Sequence, residues 1–131
     1  MTRYLLLAVS CAVLLGTASL PAHHSAASAY DTGKKITMKG TVTKVEWKNP
    51  HVFYYIDVAD ESGTVANWAI EASTPNQLYR NGWRKDDLKT GDAVTVVNSS
   101  PARNGTKKAY GGTLTLADGR KVFSGSAATD Q

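Results

Sequence analysis

Apolar and polar residues alternate along most of the chain beyond residue 35, at the period of two that marks half-buried strands. Ile36, Met38 and Val42 share one parity, whereas Val45 and Trp47 take the other. A first strand over 36–47 must therefore bend or bulge where its apolar face changes sides, and Gly40 is suited to a close approach there. Asn49-Pro50 interrupts the ladder, because proline lacks an N–H and drives its predecessor into extended or turn backbone. A second strand follows, with Val52, Tyr54, Ile56 and Val58 on one face and Phe53, Tyr55 and Asp57 on the other. Asp60-Glu61-Ser62-Gly63 reads as a polar turn. It leads into a third strand over 65–72, where Ala66, Trp68, Ile70 and Ala72 oppose Asn67 and Glu71.

The pattern then changes. Ser73 or Thr74 can cap a short helix, with Pro75 in its first turn, Leu78 facing inward and Gly82 at its end. Lys89-Thr90-Gly91-Asp92 turns into a strand over 93–98, carried by Val94, Val96 and Val97. A polar loop through Asn104-Gly105 precedes a final hairpin, 112–116 and 121–123, across Asp118-Gly119. Three strands, a short helix and then further strands, with a face-switching first strand, is the order of an OB-fold. The expected fold is thus mainly β: a small OB-fold-like antiparallel barrel with one short helix between strands three and four. Another small antiparallel barrel or an open sandwich is the rival.

The N-terminal stretch is different in kind. Arg3 followed by an apolar run over 4–15 resembles a secretion signal, too short to span a bilayer, and Leu20-Pro21-Ala22 offers a cut before His23; a cut after Ala18 competes. The expected organisation is a signal peptide over 1–22, an N-terminal arm over 23–35, the barrel domain over 36–125 and a frayed tail over 126–131. A periplasmic or secreted location follows. Cys11, the single cysteine, falls inside the apolar run, so the mature chain has no disulfide and no thiolate ligand and depends on its packed core. The formal net charge of +4 falls slightly once Arg3 is removed, and the remaining mild balance argues against nucleic acid as a partner. Lys34-Lys35 and Lys107-Lys108 read as solvated loop charge. No transmembrane segment is expected in the mature chain.

His23-His24-Ser25, Gly40-Thr41-Val42 with Val45-Glu46-Trp47, Asn49-Pro50-His51, Leu88-Lys89-Thr90-Gly91-Asp92 and Asp118-Gly119-Arg120 occur together in this chain. The set resembles a family of small exported bacterial proteins of unknown function, with a signal peptide, a His-His-Ser start and a Trp-x-Asn-Pro-His motif. The resemblance runs from His23 to Gly125 and implies an exported OB-like domain. It implies no activity.

The chemistry that the residues permit is concentrated in the histidines. His23, His24 and His51 are the three in the sequence. With His23 at a mature N-terminus, its amine and ring nitrogen can chelate one metal, and a second imidazole, from His51, completes a nitrogen-rich site. Copper(II) suits such donors, and the absence of thiolates argues against a soft Cu(I) site or a structural zinc site. A further ligand would come from Asp31, Tyr30, Glu46 or water. The plainer account makes the first two histidines a processing or solubility feature and His51 a loop hydrogen-bonder. Trp47, Phe53 and Tyr55 form a second candidate, a stacking face for a small ligand or a periplasmic protein. No Ser-His-Asp set, paired-carboxylate motif or phosphate loop is evident, so a non-catalytic binding module is expected, with copper redox chemistry at an N-terminal histidine the one exception.

Overall fold

The computed structural model describes residues 26–123. The expected signal peptide with its cleavage site, His23, His24 and the tail beyond Phe123 lie outside the described residues. Seven strands form one sheet: β1 (Ile36–Glu46), β2 (Phe53–Ala59), β3 (Val65–Glu71), β4 (Ala93–Pro101), β5 (Lys108–Tyr110), β6 (Thr113–Leu116) and β7 (Lys121–Val122). Their order is β1-β2-β3-β5-β4-β6-β7, and a further β1–β4 pairing closes β1, β2, β3, β5 and β4 into a five-stranded barrel. This is the expected OB-like barrel.

Closure rests on β1. Its first half pairs with β4, from Ile36 opposite Ser99 to Thr41 opposite Ala93, and its second half pairs with β2, from Thr41 opposite Asp57 to Glu46 opposite Phe53. The register shifts between Val42 and Lys44 on the β2 side, where the alternation changes face. An extra residue there turns the apolar set inward again and strengthens the local twist. Gly40 lies just before that change. A Cβ at Gly40 would stand 2.2 Å from the Asp57 carbonyl oxygen, so the close approach leaves no space for a side chain.

The β2–β3 hairpin keeps perfect alternation, from Phe53 opposite Glu71 to Ala59 opposite Val65. Its turn is organised by Asp60, whose Oδ1 accepts hydrogen bonds from the Ser62 and Thr64 amides at 2.9 and 3.0 Å, with Gly63 at φ 83°. Val52, Tyr54, Ile56 and Ile70 point into the barrel and are buried, while Trp68 is only half-buried and carries Lys107 over its ring at 5.1 Å. The helix Pro75–Arg80 follows β3 as expected. Thr74 Oγ1 accepts from the Gln77 amide at 3.1 Å, Pro75 opens the first turn where no N–H is needed, and Leu78 is buried against the core with Trp83 and Leu88.

Two features differ from the sequence expectation. The closing strand β5 falls in the stretch read as polar loop, and β4 runs on to Pro101 instead of ending near Asn98. A three-residue strand of which one small side chain, Ala109, is fully buried carries no periodic signal. In β4, Asn98 adopts φ 59° and the strand exchanges partners, from β6 at Val97 to β5 at Ser100. Ser99 and Ser100 are buried there, and Ser99 Oγ donates to the Tyr110 and Gly111 carbonyls at 3.2 and 3.0 Å. The hairpin β6–β7 forms as expected, but it extends the sheet from β4 outside the five-stranded ring.

The residues just before the barrel are docked. Ala26–Ala29 makes a helical turn, Tyr30 bridges to Ala102, the Asp31 amide donates to the Pro101 carbonyl at 2.8 Å, and Arg103 returns bonds to the Ala29 and Ala27 carbonyls. Among the described residues, the second half of the arm over 23–35 is thus tied to the end of β4 and the loop after it.

Truncating Ile70 to alanine is expected to cost about 2–5 kcal/mol, as large-to-small core changes do. Gly40→Ala is expected to cost about 1–3 kcal/mol or more, because its Cβ meets backbone and not a yielding side chain. Urea denaturation of the two variants beside the parent checks both values.

Candidate metal-binding site around His51

His51 follows the Asn49-Pro50 turn and lies two residues before Phe53, the first residue of β2, at its parity. Val52 fixes its height, because the Val52 amide donates to the Ser73 carbonyl at 3.0 Å and its carbonyl accepts from the Ala72 amide at 2.8 Å. The β2–β3 contact therefore runs one step past its last paired residues and ends in a bulge, with Ala72 and Ser73 both opposite Val52. Glu71, opposite Phe53, is the diagonal neighbour of His51 on the outer face of the barrel.

The two side chains meet. His51 Nδ1 lies 2.5 Å from Glu71 Oε1, and the Tyr30 hydroxyl donates to Glu71 Oε2 at 2.6 Å. An ionised carboxylate only accepts hydrogen bonds, so Nδ1 of His51 carries the proton in this pair. In the neutral ring Nε2 then keeps its lone pair. The His51 side chain is 39% exposed and that of Glu71 16%, so the carboxylate is enclosed while the ring retains a solvent side.

Tyr30 is held by the docked turn before it and by its ring, which stacks on Tyr110 with centroids 5.4 Å apart. Tyr110 in turn pairs with Glu71 across the parallel β3–β5 ladder. Burial, followed by the hydrogen bond to Glu71, pushes the Tyr30 hydroxyl far above the ordinary phenol range, so it stays protonated and acts as a donor. One carboxylate thereby joins the segment that leads out of the N-terminal stretch to the turn that carries His51.

The other sequence candidates are arranged differently. His23 and His24 lie outside the described residues. Asp31 donates its amide to Pro101, and Glu46 belongs to a separate cluster on the outer face of β1 and β2. There its carboxylate is bound by Lys44 and Lys48, at 2.5 and 2.9 Å, and accepts from the Tyr55 hydroxyl at 3.0 Å. Lys44 above all, then Lys48 and Tyr55, hold its carboxyl down to about 2. Phe53 and Tyr55 share this outer face, but Trp47 does not join them. Trp47 packs toward the core, edge-on to Phe123 at 5.6 Å, and Lys44 stands over the Tyr55 ring at 5.3 Å. The three aromatics thus form no single platform.

Glu71 and Tyr110 were not among the sequence candidates. The turn read at Asp60–Gly63 came close to Glu71 without reaching it: reflecting Phe53 across its centre gives Ile70, and the observed loop, centred on Ser62, makes Glu71 the partner. Tyr110 had no comparable signal, since it ends the strand hidden in the polar loop. Among the described residues no group of three or more His, Cys, Asp or Glu side chains converges. No helix among them is long and apolar enough to cross a membrane.

These features describe a small closed barrel with a carboxylate-tethered imidazole at the start of its second strand. Residues 11–111 match the model of a family of unknown function, DUF6152, and the chain belongs to that family. No curated protein and no solved structure matches it.

Two outcomes are expected from this geometry. Tyr30→Phe removes a hydrogen bond to an ionised group and should lower stability by about 1.5–3 kcal/mol, with faster hydrogen exchange at the Asp31 amide than elsewhere in the barrel. For Glu46 the sign runs toward acid: a carboxyl lowered from 4.5 to about 2 on folding favours the native state fully above its unfolded value and loses that contribution as pH falls toward 2. Stability measured between pH 5 and about pH 2 should therefore fall less steeply in Glu46→Gln than in the parent.

Proposed function

We propose that this protein is an exported, non-catalytic binding module that holds Cu(II) through Nε2 of His51 together with nitrogen donors of His23 and His24. The observation that carries the reading is the Glu71 hydrogen bond to Nδ1 of His51. A carboxylate behind a ligating imidazole fixes its tautomer, orients the ring and raises its basicity, as the outer partners of metal-bound histidines commonly do. Tyr30 supports the same reading. It occupies the second oxygen of that carboxylate, and five residues separate it from His24 in the chain. Copper(II) is favoured over softer or oxygen-preferring ions because the donors are imidazole and amine nitrogens and no thiolate remains once the signal is removed. The apolar run over 4–15 supports export, and with it a periplasmic or secreted location.

Purified mature protein is expected to bind one Cu(II), with nitrogen couplings in its electron paramagnetic resonance spectrum. His51→Ala should abolish the tight site, and Glu71→Gln should weaken it by about 10–100-fold by loosening the ring. A residue added before His23 should weaken it too. Binding should decline toward acid pH because protons compete for the ring nitrogens. Copper affinity that is unchanged in both His51→Ala and Glu71→Gln would overturn the proposal.

A further inference from the structure

Beside Ala72 and Ser73, just before the Pro75–Arg80 helix, lies a cavity of about 180 Å³ that shares Tyr110 with the His51 cluster but none of its hydrogen-bonded side chains. Tyr54, Tyr110 and Phe123 contribute its aromatic walls, Leu114 and Val122 its aliphatic ones, and Gly111-Gly112 adds no side chain. No charged side chain lines it. Phe123 is fixed in the left-handed region at φ 59°, edge-on to Trp47 at 5.6 Å and to Trp83 at 6.4 Å, so the outer wall is braced by two further rings. A bulky residue persists in that conformation only where its surroundings hold it there.

Tyr54, Tyr110 and Ser73 bring hydroxyls to the lining, and Tyr54 is the buried one of the three. Tyr54 is 2% exposed and borders the cavity, yet its hydroxyl has no hydrogen-bond partner among the described residues. It is also not one of the sealed, unpaired polar atoms of the core, a condition met by Trp83 Nε1. The hydroxyl therefore reaches the cavity space. Buried tyrosines ordinarily satisfy that group within the protein, so a partner from the cavity suits it. Burial pushes the Tyr54 hydroxyl well above the ordinary phenol range, so the group is an uncharged donor and acceptor.

We propose that this cavity is a binding site for a small, neutral, single-ring molecule bearing one hydrogen-bonding oxygen, seated among Tyr110, Phe123 and Leu114 with its oxygen on the Tyr54 hydroxyl. Size selects the ring, since an apolar cavity of about 150 Å³ accepts benzene. The absence of charged groups from the lining excludes carboxylates and amines, because nothing there would replace their lost hydration. The buried Tyr54 hydroxyl, without a partner among the described residues, selects the oxygen.

Phenol, toluene and benzoate serve as probes on the full, copper-free mature chain, with binding followed through the methyl resonances of Leu114 and Val122. Phenol is expected to bind saturably at one site and shift those resonances, toluene to bind there more weakly, and benzoate not to bind. Tyr54→Phe should weaken phenol by about fivefold to tenfold, the worth of one hydrogen bond, and leave toluene unchanged. Ala72→Leu, which adds bulk to the cavity wall, should abolish both. Either of two results overturns the assignment: no saturable shift at Leu114 and Val122 with phenol, as for a cavity that takes only water, or the same loss of phenol and toluene in a folded Tyr54→Phe variant.

Discussion

Everything in this barrel depends on one strand pairing along two different edges. β1 gives its first half to β4 and its second half to β2, so the sheet has no free edge within the five-stranded ring. Such sharing demands that the strand bend while both faces stay paired. The register shift after Val42 supplies the bend, and Gly40 supplies the clearance for the Asp57 carbonyl. Closure also settles an aggregation hazard, because an open β1 would present unpaired backbone groups to other chains. With no cysteine after the expected signal, this pairing and the packing inside it are what hold the domain together.

The ring also determines which polar groups can meet. β2 and β3 form a hairpin of strict alternation, so Phe53 and Glu71 share the outer face and His51 follows one step beyond. The parallel contact of β3 with β5 sets Tyr110 beside Glu71, and stacking on Tyr110 brings Tyr30 over the same carboxylate. Four segments distant in sequence therefore converge at one acidic side chain. A carboxylate with a phenol on one oxygen and an imidazole on the other is a rigid support. It leaves the far nitrogen of the imidazole as the group with chemistry to offer.

The second concave feature follows from the same architecture. A barrel this small fills its interior with side chains, and Val42, Ile56, Ile70 and Val96 do so here. The interior loosens where β4 exchanges β6 for β5 and Gly111-Gly112 replaces side chains with bare backbone. Tyr54 extends into that looser end. Phe123 walls one side of it and is itself braced edge-on by Trp47 and Trp83.

The local alternation by itself determined the β1 face change, the β2–β3 hairpin, the capped helix after Thr74 and the β6–β7 hairpin, because each follows from residues adjacent in sequence. It also marked His51 as notable, and Tyr54 as inward against outward Phe53 and Tyr55. Glu71 was assigned to the outer parity, but parity names a face and not a neighbour. Its pairing with His51 and Tyr30 arises from cross-strand register and from the docked segment before β1, both of which join residues far apart in the chain. Likewise β5 was invisible because a three-residue strand with a buried Ala109 is selected by the gap that closure leaves between β3 and β4, and not by any periodicity of its own. Local hydrophobic pattern determined the elements, and the long-range pairing that closes the barrel decided which side chains share a site.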